Sequence, residues 1–156
     1  MTAEVSGPAI PVVIADTNAL YRLFTPKDPR HAAHRAALAR VGHLVVSSMV
    51  LTELDYLLTE RVGPRASMNA LDFIAGQVEA RRFGIPDSAP HLRGAMAVMR
   101  GYEDAGGGKG VGLADAMNVV LAAAFQTADV FTTDRHFRMM RPLTGETAFR
   151  LLPDDL

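Results

Sequence analysis

The chain has 156 residues, 49% hydrophobic and 21% charged, which is the composition of a folded globular domain and excludes a disordered tail or a coiled coil. Its net charge of −1 argues against non-specific binding to nucleic acid, although 14 of its 16 basic residues are arginine, the side chain best suited to phosphate contacts. The absence of cysteine excludes disulfides, thiolate zinc sites and cysteine nucleophiles.

The predicted elements alternate between strands and helices along the chain. Short apolar runs predict strands over residues 11–16, 43–48, 83–86, 129–134 and 148–152. Apolar residues at helical spacing predict one helix from Thr17, one after Ser48, and others over 29–41, 64–80, 91–102 and 113–127. The glycine-rich stretch 106–110 is expected to be a flexible loop. This order predicts a three-layer α/β/α fold with a mostly parallel sheet of four or five strands.

The chain is expected to form one domain over residues 1–156, with residues 1–11 as an N-terminal extension. No apolar run approaches the ~18 residues that a membrane span requires. Residues 1–11 carry no lysine or arginine, so they do not resemble a secretory signal. We therefore expect a cytoplasmic protein.

Four carboxylates fall where the parallel sheet is expected to present its carboxyl edge, the usual place for ligands in such folds. Asp16 and Asp134 end the first and fourth strands, Glu53 lies early in the helix after the second strand, and Asp115 opens the most apolar helix. Clustered carboxylates repel one another unless a cation compensates them, and hard divalent cations prefer oxygen ligands. One or two such ions can activate water for phosphodiester hydrolysis. The alternative is local: Asp16 and Asp115 as helix caps, Asp134 as a turn former and Glu53 as a surface residue.

The residues around these carboxylates resemble the PIN-domain family, and more closely its VapC-type toxin branch. The resemblance spans about residues 12 to 153 and rests on four segments: Ile14-Ala15-Asp16-Thr17-Asn18, Ser48-Met49-Val50-Leu51-Thr52-Glu53-Leu54, Gly112-Leu113-Ala114-Asp115-Ala116 and Phe131-Thr132-Thr133-Asp134-Arg135-His136-Phe137. It implies a Mg²⁺- or Mn²⁺-dependent endoribonuclease with one or two ions, the toxin of a toxin–antitoxin pair. Its catalytic and metal-binding residues would be Asp16, Glu53, Asp115 and Asp134.

Other residues are candidates for supporting roles. Thr132 shares a strand face with Asp134, Asn118 lies one helical turn after Asp115, and Asn18 follows Asp16, so these three are expected to support the ligands. A run without acids after Asp134 is the candidate RNA-binding segment, with Arg135, His136, Arg138 and Arg141. The alternative for these basic residues is a solvated surface.

The resemblance also implies partners, namely an RNA substrate, a cognate VapB-like antitoxin and a second copy of the chain in a homodimer. The apolar residues Leu20, Tyr21, Phe24, Leu54, Tyr56, Leu57 and Leu58 are candidates for an antitoxin groove, unless they simply form the core. The main alternative function is a catalytically silent PIN-like module that binds or scaffolds other molecules.

Overall fold

The apolar runs form five strands, all parallel, in one sheet. The computed structural model describes residues 7–156. The strands are β1 (Ile10–Ala15), β2 (Val41–Val46), β3 (Phe83–Gly84), β4 (Asp129–Phe131) and β5 (Arg150–Leu152). Their order in the sheet is β3-β2-β1-β4-β5, so β1 lies at the centre and the predicted last strand lies at an edge.

The helices connect the strands and cover both faces of the sheet. They are α1 (Thr17–Leu23), α2 (His31–Ala39), α3 (Ser48–Arg61), α4 (Pro64–Glu79), α5 (Leu92–Gly101), α6 (Ala105–Gly108) and α7 (Leu113–Ala124). Single 3₁₀ turns span Ala89–His91 and Arg135–Arg138. We call the segment Arg135–Arg141 the basic turn. Within residues 7–156, no helix has both the length and the apolarity to cross a membrane.

The alternating side chains of β1 show how the three layers form. Val13 and Ala15 belong to a core that includes residues of α1 to α4, whereas Ile14 belongs to a second core with α5 and α7. A strand buried on both faces needs a continuous apolar run, which is why β1 lacks the alternation of a half-exposed strand. The predicted three-layer α/β/α fold is confirmed.

Several predicted boundaries are wrong. The helix predicted over 29–41 ends at Ala39, because Val41 already pairs with Ile10 in the sheet. Gly42 belongs to β2, where a Cβ would lie 2.9 Å from the carbonyl oxygen of Pro11, so close strand packing explains this glycine. Part of the predicted glycine loop is the short helix α6. Residues 1–6 of the predicted N-terminal extension lie outside the described residues, and Ile10 and Pro11 belong to β1.

The sheet order places a crevice beside β1. From β1 the chain adds β2 and β3 on one side, and then returns to add β4 and β5 on the other. Open parallel sheets bind ligands at such a reversal, outside the carboxyl ends of the two strands. Asp16 directly follows β1, and Asp134 lies three residues after β4.

Candidate metal centre and active site

The four predicted carboxylates line one cavity of about 360 Å³ at this reversal point, which we call the acid cavity. They come from separate elements: Asp16 from the end of β1, Glu53 from the second turn of α3, Asp115 from the first turn of α7, and Asp134 from the segment after β4. A larger cavity of about 550 Å³ lies between α2 and α4, and none of these carboxylates is among its lining residues. Because it holds the four carboxylates, the acid cavity is the candidate active site.

Asp16 is the most buried of the four carboxylates, with 5% of its surface exposed. Its Oδ1 accepts the main-chain N–H of Thr17 at 2.9 Å and so caps α1. Its Oδ2 accepts the hydroxyl of Thr132 at 2.8 Å and the amide of Asn18 at 3.2 Å. Burial raises the pKa of Asp16, although these hydrogen bonds from Thr132 and Thr17 oppose the rise.

Asn18 and Thr132 link the segments that follow β1 and β4. The Asn18 side-chain oxygen accepts the main-chain N–H of Thr133 at 2.8 Å. The Thr132 hydroxyl accepts the main-chain N–H of Asp134 at 2.9 Å while it donates to Asp16. These bonds fix the carboxylate of Asp16 relative to the main chain of Asp134, as expected for residues that orient metal ligands.

The predicted residue Asn118 makes different contacts. It is fully buried, and its amide lies 3.5 Å from the main-chain carbonyl oxygen of Ala15, the residue before Asp16. Its side-chain oxygen has no hydrogen-bond partner among the described residues. In this geometry Asn118 reaches the end of β1 rather than a carboxylate of the cavity.

Glu53 is exposed on α3 and has one partner that the sequence did not single out. The hydroxyl of Thr17 donates to Glu53 Oε2 at 2.7 Å. Thr17 is the first residue of α1, and its main-chain N–H is already bonded to Asp16. In the sequence, only the position of Thr17 between Asp16 and Asn18 indicates a role at the site. The contact of Thr17 with Glu53 depends on the packing of α1 against α3, which the sequence pattern does not specify.

Asp115 lies partly buried in the acid cavity beside the other three carboxylates. Partial burial, followed by the charges of Asp16, Asp134 and Glu53, raises the pKa of Asp115 to about 7. The N-cap of α7 is Gly112, so Asp115 is not the helix cap that the local alternative required. A carboxylate held among three others without a cap role fits a site that a cation compensates.

Asp134 and His136 form a tighter group with Asp115. Each of the three can place one ligand atom so that all three atoms lie within 4.8 Å of one another. His136 Nδ1 lies 3.1 Å from Asp134 Oδ1, which also accepts the main-chain N–H of His136 at 2.9 Å. His136 was predicted only as an RNA-binding residue, and its proximity to Asp115 was not visible in the sequence.

The three arginines of the basic turn differ in their contacts. Arg135 is exposed next to Asp134. Arg138 is held by Asp155 through two hydrogen bonds of 2.9 and 3.2 Å. Arg141 is exposed, and its main-chain N–H donates to the hydroxyl of Tyr102 at 3.0 Å. Arg135 and Arg141 are therefore freer than Arg138 to reach a phosphate.

The donor set fits a hard divalent cation. Carboxylate oxygens are the ligands that Mg²⁺ and Mn²⁺ prefer. The pKa values of Asp16 and Asp115 are raised first by burial and further by the neighbouring carboxylates, so a bound cation would favour the charged form of both groups.

Comparison with known proteins identifies relatives over most of the chain. The family model described as "PIN domain" matches residues 13–141. Ribonuclease VapC26 of Mycobacterium tuberculosis is 38% identical over 136 residues, which cover 85% of this chain and 95% of that protein.

Two solved structures share the fold. The crystal structure of Mycobacterium tuberculosis VapC20, described as a sarcin-ricin loop cleaving toxin, matches with a TM-score of 0.67 and 16% identity, over 85% of this chain and 97% of that chain. VapBC2 from Rickettsia felis, bound to a DNA fragment from its promoter, matches with a TM-score of 0.59 and 17% identity, over 85% of this chain and 95% of that chain.

Proposed function

The chain belongs to the PIN-domain family, and we propose that it is a divalent-metal-dependent endoribonuclease of the VapC toxin type that hydrolyses RNA phosphodiester bonds. The observation that carries this proposal is the convergence of Asp16, Glu53, Asp115 and Asp134 on one cavity. The 38% identity to a ribonuclease supports the same reaction class.

The proposed cofactor is Mg²⁺ or Mn²⁺, as one or two ions. When bound, such an ion lowers the pKa of a coordinated water and offsets charge on the phosphate. Asp16 and Asp115 are the direct ligands, because each projects from a rigid element into the acid cavity. Glu53 and Asp134 complete the site directly or through water, and we assign them the orientation of the attacking water.

Asn18 and Thr132 act through Asp16 in this proposal. Their hydrogen bonds to Oδ2 fix the orientation of the Asp16 carboxylate, which a metal ligand requires. Asn118 supports the end of β1 through Ala15. In the basic turn, the exposed Arg135 and Arg141 contact RNA phosphates. His136 lies beside Asp115 and Asp134.

We further propose that a VapB-like antitoxin inhibits the enzyme and that the chain forms a homodimer. The solved relative VapBC2 supports the pairing with an antitoxin. Of the seven residues predicted for the groove, Leu20, Leu54 and Leu58 are fully buried and unavailable to a partner. The surface that remains comprises the partly or well exposed Tyr21, Phe24, Tyr56 and Leu57.

Cleavage of total RNA by the purified chain, freed of any partner, tests the proposed activity. We expect discrete products with Mg²⁺ or Mn²⁺ and none with EDTA. Asp115→Asn is expected to abolish cleavage without unfolding the protein, because the change is nearly isosteric and removes like-charge repulsion. Asp72→Asn, at an exposed position of α4, is the matched control and is expected to keep full activity.

The outcomes separate the alternatives. Full cleavage by Asp115→Asn would refute the assignment of the four carboxylates. No cleavage by folded wild-type protein that binds Mn²⁺ would favour the silent binding module.

A further inference from the structure

A second, smaller cavity adjoins the acid cavity, and we call it the side cavity. Its volume is about 140 Å³, and Gly112 and Asp115 line both cavities. The two spaces therefore share a wall at the start of α7. A group that enters the side cavity is next to any phosphate held at the acids.

The walls of the side cavity suit a flat, unsaturated ring. Tyr102 and His136 supply aromatic rings, and Met139 and Met140 supply polarisable sulfur atoms that pack well against rings. The phenol of Tyr102 is half-buried, and its hydroxyl accepts the main-chain N–H of Arg141 at 3.0 Å. This bond fixes the ring relative to the basic turn.

The volume of the side cavity and the main chain along its wall further limit the kind of group that can bind there. At ~30 Å³ per water, 140 Å³ holds about five waters, well below the ~300 Å³ at which pockets for drug-sized ligands begin. A single ring system fits this space better than a whole nucleotide. Gly110 and Gly112 carry no side chain, so the main chain of 110–112 along this wall is less shielded for hydrogen bonds to a ring edge.

We propose that the side cavity binds the nucleobase of a nucleotide next to the cleaved phosphodiester bond, with Tyr102 as the stacking surface. This inference rests on the proposed ribonuclease function, since it needs a phosphate at the acid cavity. The nucleotide must be unpaired, because its base leaves the stack to enter the cavity. The side cavity thereby gives the enzyme base selectivity at one position beside the cut.

The first test uses a short single-stranded RNA of randomised sequence with Mn²⁺, and sequencing of the cleaved ends. We expect a base preference at one position flanking the cut. Tyr102→Leu is expected to flatten this preference and to lower kcat/KM for the preferred base about tenfold to a hundredfold. Tyr102→Phe, which keeps the ring, is expected to retain the preference.

Two results would overturn the inference: an unchanged preference in Tyr102→Leu, or an equal loss in Tyr102→Phe. If Tyr102→Leu fails to give a native circular dichroism spectrum, Ala105→Leu replaces it. Ala105 also lines the side cavity, and a larger side chain there is expected to exclude the base with the same loss of preference.

A second measurement is independent of cleavage. Saturation-transfer NMR with the four nucleoside 5′-monophosphates and Mg²⁺ is expected to show contacts to the base protons in the wild type and their loss in Tyr102→Leu. If the wild type binds bases in this way but cleaves no RNA, the proposed function fails and the inference stands. If it cleaves RNA without base preference or base contacts, the inference fails and the proposed function stands.

Discussion

At Asp16 the two carboxylate oxygens have different partners. Oδ1 caps α1 through Thr17, and Oδ2 accepts from Thr132 and Asn18 at the acid cavity. The local and the functional interpretations of this residue are therefore compatible, because a carboxylate offers about four lone-pair sites. Asp134 is similar, since it caps the 3₁₀ turn through His136 while it lines the acid cavity.

Asp115 makes the stability of the metal-free protein depend on pH. Its pKa is about 7 in the folded state against an ordinary value of 3.8, so the folded state binds this proton more tightly than the unfolded state. Its contribution to stability is present below pH 3.8 and is lost as the pH rises through about 7. Asp16, whose pKa is also raised, acts in the same direction. With EDTA present, we expect the free energy of unfolding to fall between about pH 4 and pH 7.

Asp115→Asn isolates this effect, since the amide does not titrate. We expect the variant to weaken the pH dependence and to raise the free energy of unfolding at pH 8 by about 1–2 kcal/mol, less than the full shift implies because solvent partly screens the site. Denaturant titrations of both proteins at several pH values measure this. An equally steep decline in Asp115→Asn would show that other groups cause it.

Among the elements, the basic turn makes the most specific prediction. Arg135 and Arg141 are exposed, whereas the guanidinium of Arg138 is bonded to Asp155 in the turn after β5. We expect Arg135→Ala and Arg141→Ala each to reduce the slope of log K against log salt by about 0.7 for single-stranded RNA. Arg138→Ala is expected to change the slope little.

Fluorescence anisotropy with labelled RNA measures these slopes, in an Asp115→Asn background that prevents cleavage. Arg65→Ala, at an exposed position of α4, is the matched control and is expected to leave the slope unchanged. An effect of Arg138→Ala as large as that of Arg135→Ala would refute the distinction between free and ion-paired arginines.

The sequence predicts these elements well where one local pattern dominates. The apolar runs of β1 and β2 and the helical spacing of α3 and α7 needed no knowledge of distant residues. The third strand was expected over 83–86, but it is limited to Phe83–Gly84, and Pro86 has no N–H for a ladder. The end of α2 depended on pairing between Val41 and Ile10.

The same limit applies to the candidate site. The sheet rule placed all four carboxylates at one edge from their positions in the chain. The bond between Thr17 and Glu53 and the approach of His136 to Asp115 join side chains from different elements. Such contacts depend on helix orientation and rotamers, which residue spacing does not specify.

For the whole molecule, the sheet topology brings mutually repelling charges together at one point. The sheet reversal that creates the crevice also concentrates four carboxylates there, while the chain as a whole carries a net charge of −1. Such a cavity repels a phosphate. Two bound divalent cations would change the net charge from −1 to +3, which favours binding of a polyanion. The stability of the fold and the binding of RNA are therefore expected to depend on the same ions.

This dependence predicts that metal stabilises the entire chain. At a free Mn²⁺ concentration about 100 times its Kd, binding to the folded state contributes about 2.7 kcal/mol, or about 5–10 °C in Tm for a domain of this length. Thermal unfolding followed by circular dichroism, with Mn²⁺ and with EDTA, measures the shift. Asp115→Asn is expected to lose most of it, and Asp72→Asn to keep it. An equal shift in Asp115→Asn would mean that Mn²⁺ stabilises the protein from another site, because removing a ligand from the acid cavity must weaken binding there.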